Sequence, residues 1–312
     1  MRVRAAGVGA VLLVAELRKL VRPLVWGTGL AAIAFLLLLT VGATSNAASG
    51  LKSPRIPSAC GGAVSTLSPA CVQEVTQAKE AAANDARQEH RQEMPGAVGE
   101  VAVGMLASLP GVFLIALIAG AHVGGEWSGR TIRTVLTHDG RRLRVLAAKW
   151  VSLWIGTVVT VLAAWVVLAV AGPLLAAAYG LPAAGQGLFA GLGASLAFLG
   201  RALLVLGVFT LVGVAAGLLT RSTVGTVAVV VGAIGALLIV GAVQGVAKLS
   251  PATWVQAWMH FSFNGAYLPT NFWTRFESGV TMSSGAAFIG LLGTLAVIGA
   301  LAAWRAGADV TV

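Results

Sequence analysis

Charge is scarce in this chain. Only 10% of its 312 residues are Asp, Glu, Lys or Arg, against about 25% in an ordinary soluble domain. With 57% hydrophobic residues and a mean hydropathy of +0.88, it has too little polar surface to cover itself against water. That excludes an ordinary soluble fold and calls for lipid as the solvent. Catalytic signatures are missing as well. There is no Gly-x-x-x-x-Gly-Lys-Ser/Thr phosphate loop, no His-Glu-x-x-His and no Gly-x-Ser-x-Gly. The four histidines, His90, His122, His138 and His260, are scattered, so neither a metal centre nor a membrane-embedded enzyme is expected. Acidic residues are the scarcer sign, 11 against 21 basic, for a net charge of +10. Nucleic acid is not the expected partner, because no basic domain with interleaved aromatics is present. The basic residues sit instead beside apolar runs, at Arg18, Lys19 and Arg22 and from Arg130 to Lys149, as the positive-inside rule requires of cytoplasmic loops.

What is there reads as an all-α polytopic membrane protein. Met1 to Arg22 has Val8, Val11, Leu12 and Ala15 at helical spacing beside Glu16, Arg18, Lys19 and Arg22, the pattern of an amphipathic helix lying at the interface. Pro23 suits the first turn of a new helix. The apolar stretch that follows is long and lacks a clean small-x-small site, so it reads as an uncleaved span rather than a signal peptide. About 20 apolar residues cross a bilayer core, and on that basis six spans are expected at 24–42, 101–123, 150–171, 201–219, 223–246 and 285–303. Residues 43–99 form an extracytoplasmic loop in which Val72 to Met94 is a polar helix ending at Pro95. Leu188 to Leu199 is apolar but short, which suits a re-entrant or interfacial segment. Arg201 belongs at the membrane boundary, since a charge at mid-span costs several kcal/mol. An aromatic-rich loop, 248–283, carries Trp254, Trp258, Tyr267 and Trp273 at headgroup level.

Six spans put both termini on one side. That side carries 13 basic and 4 acidic residues, and the other 8 and 7, so the termini and the 124–149 loop are expected in the cytoplasm. The only two cysteines, Cys60 and Cys71, then lie outside it, where a disulfide between them is expected. Closing a loop of that length contributes about 3 kcal/mol in the chain-entropy picture.

The most informative segment runs from Glu126 to Lys149. Ile132, Val135 and Leu136 fall at i, i+3 and i+4 and make a small apolar ridge; Arg130 and Arg133 flank it, and an Asp139-Gly140 turn leads to Arg141, Arg142 and Arg144. A ridge with a charged rim is what a docking helix needs, although an interfacial helix has a similar pattern. The run Gly125-Glu126-Trp127-Ser128-Gly129-Arg130-Thr131-Ile132-Arg133-Thr134-Val135-Leu136, with Arg141-Arg142 and Ala147-Ala148-Lys149 entering a span, resembles the loop after the second span in ABC-2 type transporter permeases. Ala15-Glu16-Leu17-Arg18-Lys19-Leu20 before Pro23 resembles that family's amphipathic connecting helix, and the likeness covers nearly the whole chain. Two departures stand out: Arg130 lies between the usual Gly and Thr, and His138-Asp139-Gly140 replaces a frequent Pro.

The resemblance implies the permease subunit of a bacterial exporter in the plasma membrane. Two copies, or a related pair, would form the path, and separate ATP-binding subunits, holding ATP and Mg, would dock beneath. It also implies a coupling segment comprising Glu126, Gly129, Arg130, Thr131, Ile132, Arg133, Val135, Leu136, Arg141, Arg142 and Lys149, and a connecting helix marked by Glu16, Arg18 and Lys19. The cargo expected of an apolar path is a drug, peptide or lipid-like molecule. A sensor or assembly subunit shares this composition. An ion-coupled carrier would instead carry ionisable residues within its spans, and the six expected spans hold almost none.

Overall fold

The computed structural model describes residues 12–19, 23–54, 68–129, 142–183, 185–242, 246–259 and 282–308. Among them the chain is helical with irregular connections and no strand. Residues 12–19 form α1, followed by α2 (Pro23–Lys52), α3 (Pro69–Glu93), α4 (Val98–Ala107), α5 (Leu109–Ser128), α6 (Arg142–Ala178), α7 (Leu192–Thr220), α8 (Thr223–Ala242), α9 (Pro251–Met259) and α10 (Ser284–Ala308). Among the described residues, five helices are long and apolar enough to cross a bilayer: Gly27–Lys52, Pro110–Ser128, Arg142–Ala178, Leu192–Thr220 and Ser284–Gly307. This is the composition of a multi-pass membrane protein. The sixth expected span, 223–246, is represented by α8, whose apolar stretch Thr223–Leu237 falls short of those five.

The boundaries differ from expectation for physical reasons. The expected second span, 101–123, is two helices broken at Ser108. Pro110 sits in the first turn of α5, where its missing N–H is harmless, but its ring is incompatible with continuing the preceding helix. Gly111 faces that break so closely that a Cβ would lie 2.4 Å from the Leu106 and Met105 carbonyl oxygens. Pro173, expected to follow the third span, lies inside α6, which ends at Ala178 in a Schellman turn. There Gly180 takes φ +68° and the Leu181 N–H donates to the Ala176 oxygen at 3.0 Å. Leu192 to Leu199 is the opening of α7, continuous through Arg201, and not a re-entrant segment. The polar helix appears as α3. Pro69 follows its cap Ser68, and Met94, extended before Pro95, ends it.

The chain divides into two compact units. The first comprises Met1–Thr28, Val103–Val161 and Phe198–Val312. Its core holds Val103, Val112, Val161, Val205, Leu206, Phe209, Val255, Met259 and Leu291. Here α5 and α7 meet through small residues at fixed spacing, Gly120 and Gly124 on one and Gly213 and Gly217 on the other. A Cβ on Gly213 would lie 2.2 Å from the Ala116 oxygen, and one on Gly217 2.6 Å from the Gly120 oxygen. Paired small-xxx-small stripes of this kind let two backbones touch. Indole N–H groups add to the packing: Trp150 donates to the Gly207 oxygen at 2.9 Å, Trp154 to Leu203 at 3.1 Å and Trp258 to Arg201 at 2.9 Å. Trp254 and Trp258, expected in a loop, therefore lie on a helix that packs inward. Trp254 covers Gly290, and Trp258 meets the Phe288 ring at 5.0 Å. Tyr267 and Trp273 lie outside the described residues.

The second unit comprises Gly29–Ala102 and Leu162–Ala197. Its core is small, with Ala48, Ala86, Ala176 and Leu181 packed together. The Trp165 ring lies over Gly99 and donates to the Pro95 oxygen at 3.1 Å. Cys71, in the first turn of α3, is disulfide-bonded; its expected partner, Cys60, lies outside the described residues.

Candidate functional site: a buried charge cluster

Four residues picked out by sequence meet within the first unit. Glu126 is in the last turn of α5 and Lys149 in the third turn of α6, while Glu16 and Lys19 stand one turn apart on α1. Lys19 Nζ lies 2.7 Å from Glu16 Oε1 and 2.9 Å from Glu126 Oε1. Lys149 Nζ lies 3.1 Å from Glu16 Oε1 and also bonds Glu126 Oε2. Each ammonium therefore touches both carboxylates, and the signs alternate round a closed quartet whose formal charges cancel. Glu16, Glu126 and Lys149 are buried, Lys149 to within 1% of full burial.

Helix electrostatics alone would not choose these positions. A carboxylate at the C-terminus of α5 and an ammonium near the N-terminus of α6 both oppose the local helix dipole. Burying any one of the four by itself would cost several kcal/mol, and only pairing with good hydrogen bonds offsets that. The arrangement makes sense as a joint, since α1, α5 and α6 cannot separate without exposing unpaired charge. Burial pulls the Lys19 ammonium towards neutrality, but the bonds from Glu16 and Glu126 and their fields outweigh it. They hold its pKa above the usual 10.5, so Lys19 stays charged throughout the neutral range.

The chain matches no protein-family model, no curated protein and no solved structure. His122 extends the cluster, its Nε2 lying 3.8 Å from Glu126 Oε1. With Glu16 and Glu126 it brings three ligand atoms within 4.8 Å of one another. Both carboxylates already hold ammonium groups, so a cation placed there would compete with two fixed positive charges.

Two further contacts tie neighbouring helix ends to the joint. Arg142 Nη1 donates to the Ala306 oxygen at 3.1 Å, supplying a cationic donor to a carbonyl in the last turn of α10. The Arg221 guanidinium stacks 4.8 Å from the centre of the Trp127 ring. Arg221 is the first of the two residues between α7 and α8 and lies in the left-handed region, φ 53°. Gly129 caps α5 with its N–H on the Gly125 oxygen at 2.9 Å. The ends of α5, α7 and α10 and the starts of α6 and α8 are thus linked with α1 in one group.

The remaining sequence-predicted residues fare differently. Arg18 is exposed on α1. Arg130, Thr131, Ile132, Arg133, Val135, Leu136 and Arg141 lie outside the described residues, as does the rest of the 130–141 loop. Sequence reasoning missed His122, Trp127 and Arg221. His122 was findable, because it precedes Glu126 by one helical turn on the same face.

Proposed function

We propose that this chain is the membrane-spanning permease subunit of an exporter powered by a separate ATP-binding subunit, which docks on the 126–149 loop. One observation carries the reading. The closed Glu16–Lys19–Glu126–Lys149 quartet joins the connecting helix to both stems of the segment that resembles a coupling loop. A push delivered to that loop would reach α5 through Glu126, α6 through Lys149 and α1 through Glu16 and Lys19 as one rigid body. Binding energy at a partner could then become a reorientation of spans. A loop that served only to orient the chain would need basic residues, but not a buried neutral joint at its base.

In this reading the gathered helix ends and both termini face the cytoplasm of a bacterial plasma membrane. ATP and Mg belong to the partner. Two copies, or a related pair, frame the path, and the cargo is a drug, peptide or lipid-like molecule. An ion-coupled carrier would want carboxylates free to exchange their counter-ion, whereas Glu16 and Glu126 are each held by two lysines.

The test is co-purification of the tagged chain from its native membranes. The expected companion is a chain containing a Gly-x-x-x-x-Gly-Lys-Ser/Thr loop, lost on Ile132→Asp with Leu136→Asp while the permease still elutes as a folded species. Retention of that companion by a well-folded double variant would sink the assignment of the docking ridge. A wild-type preparation without any nucleotide-binding companion would sink the reading itself.

A further inference from the structure

Away from the charge cluster, the second unit holds a carboxyl with an unusual set of partners. Glu93, the last residue of α3, is only 2% exposed, and Thr44 of α2, which it touches, is fully buried. Thr44 Oγ1 lies 2.7 Å from the Thr40 backbone oxygen and also in hydrogen-bond contact with Glu93 Oε1. A hydroxyl has one proton to give. If Thr44 donates to Thr40, an ionised Glu93 is left facing an oxygen lone pair. A neutral Glu93 completes the chain, its O–H donating to Thr44 and Thr44 donating to Thr40. The other carboxyl oxygen, Oε2, is buried without a hydrogen-bond partner among the described residues, which is tolerable for a neutral acid and far more costly for an anion.

The surroundings offer no compensation. From α2 come the Thr40 and Thr44 hydroxyls, and the sole charge on that helix, Lys52, is two turns further on and exposed. From α6 comes backbone at Gly172, where a Cβ would lie 2.5 Å from the Glu93 backbone carbonyl oxygen and 3.1 Å from its Cβ. The charges of α6 are confined to Arg142, Arg144 and Lys149 in its opening turns. On α3 itself Glu89 precedes by one turn and adds like charge, Arg91 is exposed, and His90 is bonded at 2.9 Å to the Pro182 oxygen. Glu100 follows in α4, and residues 179–191 carry no charge.

We propose that Glu93 is a protonation-controlled latch: as the neutral acid it fastens the end of α3 to α2 through Thr44 and Thr40, and on ionising it opens that contact. Burial pushes its pKa up to about 7 from the usual 4.5 and Glu89 adds to the rise, even against the lowering that a Thr44 hydroxyl turned to the anion would give. The sign follows from the raised value. The packed form binds the proton more tightly, so its advantage is complete below about 4.5 and lost as pH rises through about 7. Across that window the open-to-closed ratio should rise by roughly two powers of ten. Glu93 is only 2% exposed and its Oε2 has no hydrogen-bond partner among the described residues, so the anion is poorly solvated in place and ionisation favours separation of the helices.

The experiment is hydrogen exchange of the full chain in lipid nanodiscs, corrected for intrinsic rates, at about pH 5 and about pH 8. In wild type, protection of residues 85–94 should fall on the order of a hundredfold between the two. Glu93→Gln, whose amide can donate to Thr44 at any pH, should keep full protection at both, and Thr44→Val should show low protection at both. A Glu93→Gln protein that loses protection as wild type does overturns the latch. Infrared titration of the wild type gives a test that needs no variant to fold: one carboxyl should stay neutral to about pH 7. A spectrum in which every carboxyl is ionised by about pH 5.5 overturns the proposal outright.

Discussion

Replacing Lys149 with Met keeps the length and apolar stem of the side chain and removes only the charge. Glu16 and Glu126 would then face each other with Lys19 as their single shared counter-ion. Their side chains are 5% and 10% exposed and that of Lys149 is 2% exposed, so water screens little of the loss. Removing one partner of a buried pair costs about 3–5 kcal/mol. Taking roughly 2 °C per kcal/mol, the lower end for large chains, the thermal midpoint should drop by about 6–10 °C. This is measurable by heating detergent-solubilised protein and following the monodisperse fraction on a sizing column. Adding Glu126→Gln to Lys149→Met removes the excess negative charge and leaves the Glu16–Lys19 pair, 2.7 Å apart, balanced. The double variant should recover to within roughly 4 °C of wild type. If it falls as far as the two single variants added together, the four residues are not a coupled quartet and the joint does not exist as described.

Arg142→Ala should lower the midpoint by about 2–4 °C, from loss of a charged hydrogen bond of about 1–2 kcal/mol to the Ala306 oxygen. Arg142→Lys should recover part of this in the same thermal assay. Arg221→Gly should be milder than Arg221→Ala by about 1 kcal/mol: both lose the stacking on Trp127, but only glycine relieves the φ of 53°. Gly213→Ala should destabilise by about 1–3 kcal/mol through overpacking against the Ala116 oxygen, while Gly293→Ala, with nothing within 4 Å of its Cβ, should be neutral or slightly stabilising. The deficit of Lys19→Met in the same thermal assay should shrink as pH is raised past 10.5. The raised pKa of Lys19 means its contribution is fully present below 10.5 and lost only as pH climbs above that.

The helical, lipid-facing character of the chain is legible because it rests on bulk properties that one sequence displays directly: scarce charge and apolar runs of spanning length. Where the apolar stretches begin and end is less legible, because hydropathy does not register backbone chemistry. Pro110 splits one expected span, yet Pro173 is absorbed by α6 without ending it. Membrane helices tolerate an interior proline when neighbours and local adjustment satisfy the freed carbonyl. The interlocking of Gly120 and Gly124 with Gly213 and Gly217 was readable as two small-xxx-small stripes, although their pairing was not, since nothing local says which helix faces which. Glu16, Lys19, Glu126 and Lys149 stood out by family resemblance as separate marks on two segments; their meeting is long-range and visible only in three dimensions. Glu93 was invisible for the opposite reason. In sequence it is one charge among many on a solvated helix, and only the closeness of α2 and Gly172 makes it buried.

The most direct measurement of the central claim is photo-crosslinking from position 132 in living cells, with a photoreactive amino acid in place of Ile132. The account predicts one dominant adduct, to a chain carrying a Gly-x-x-x-x-Gly-Lys-Ser/Thr phosphate loop, with a yield that changes when cellular ATP is depleted. Adducts to lipid alone, or to a protein without a nucleotide-binding motif, would contradict it.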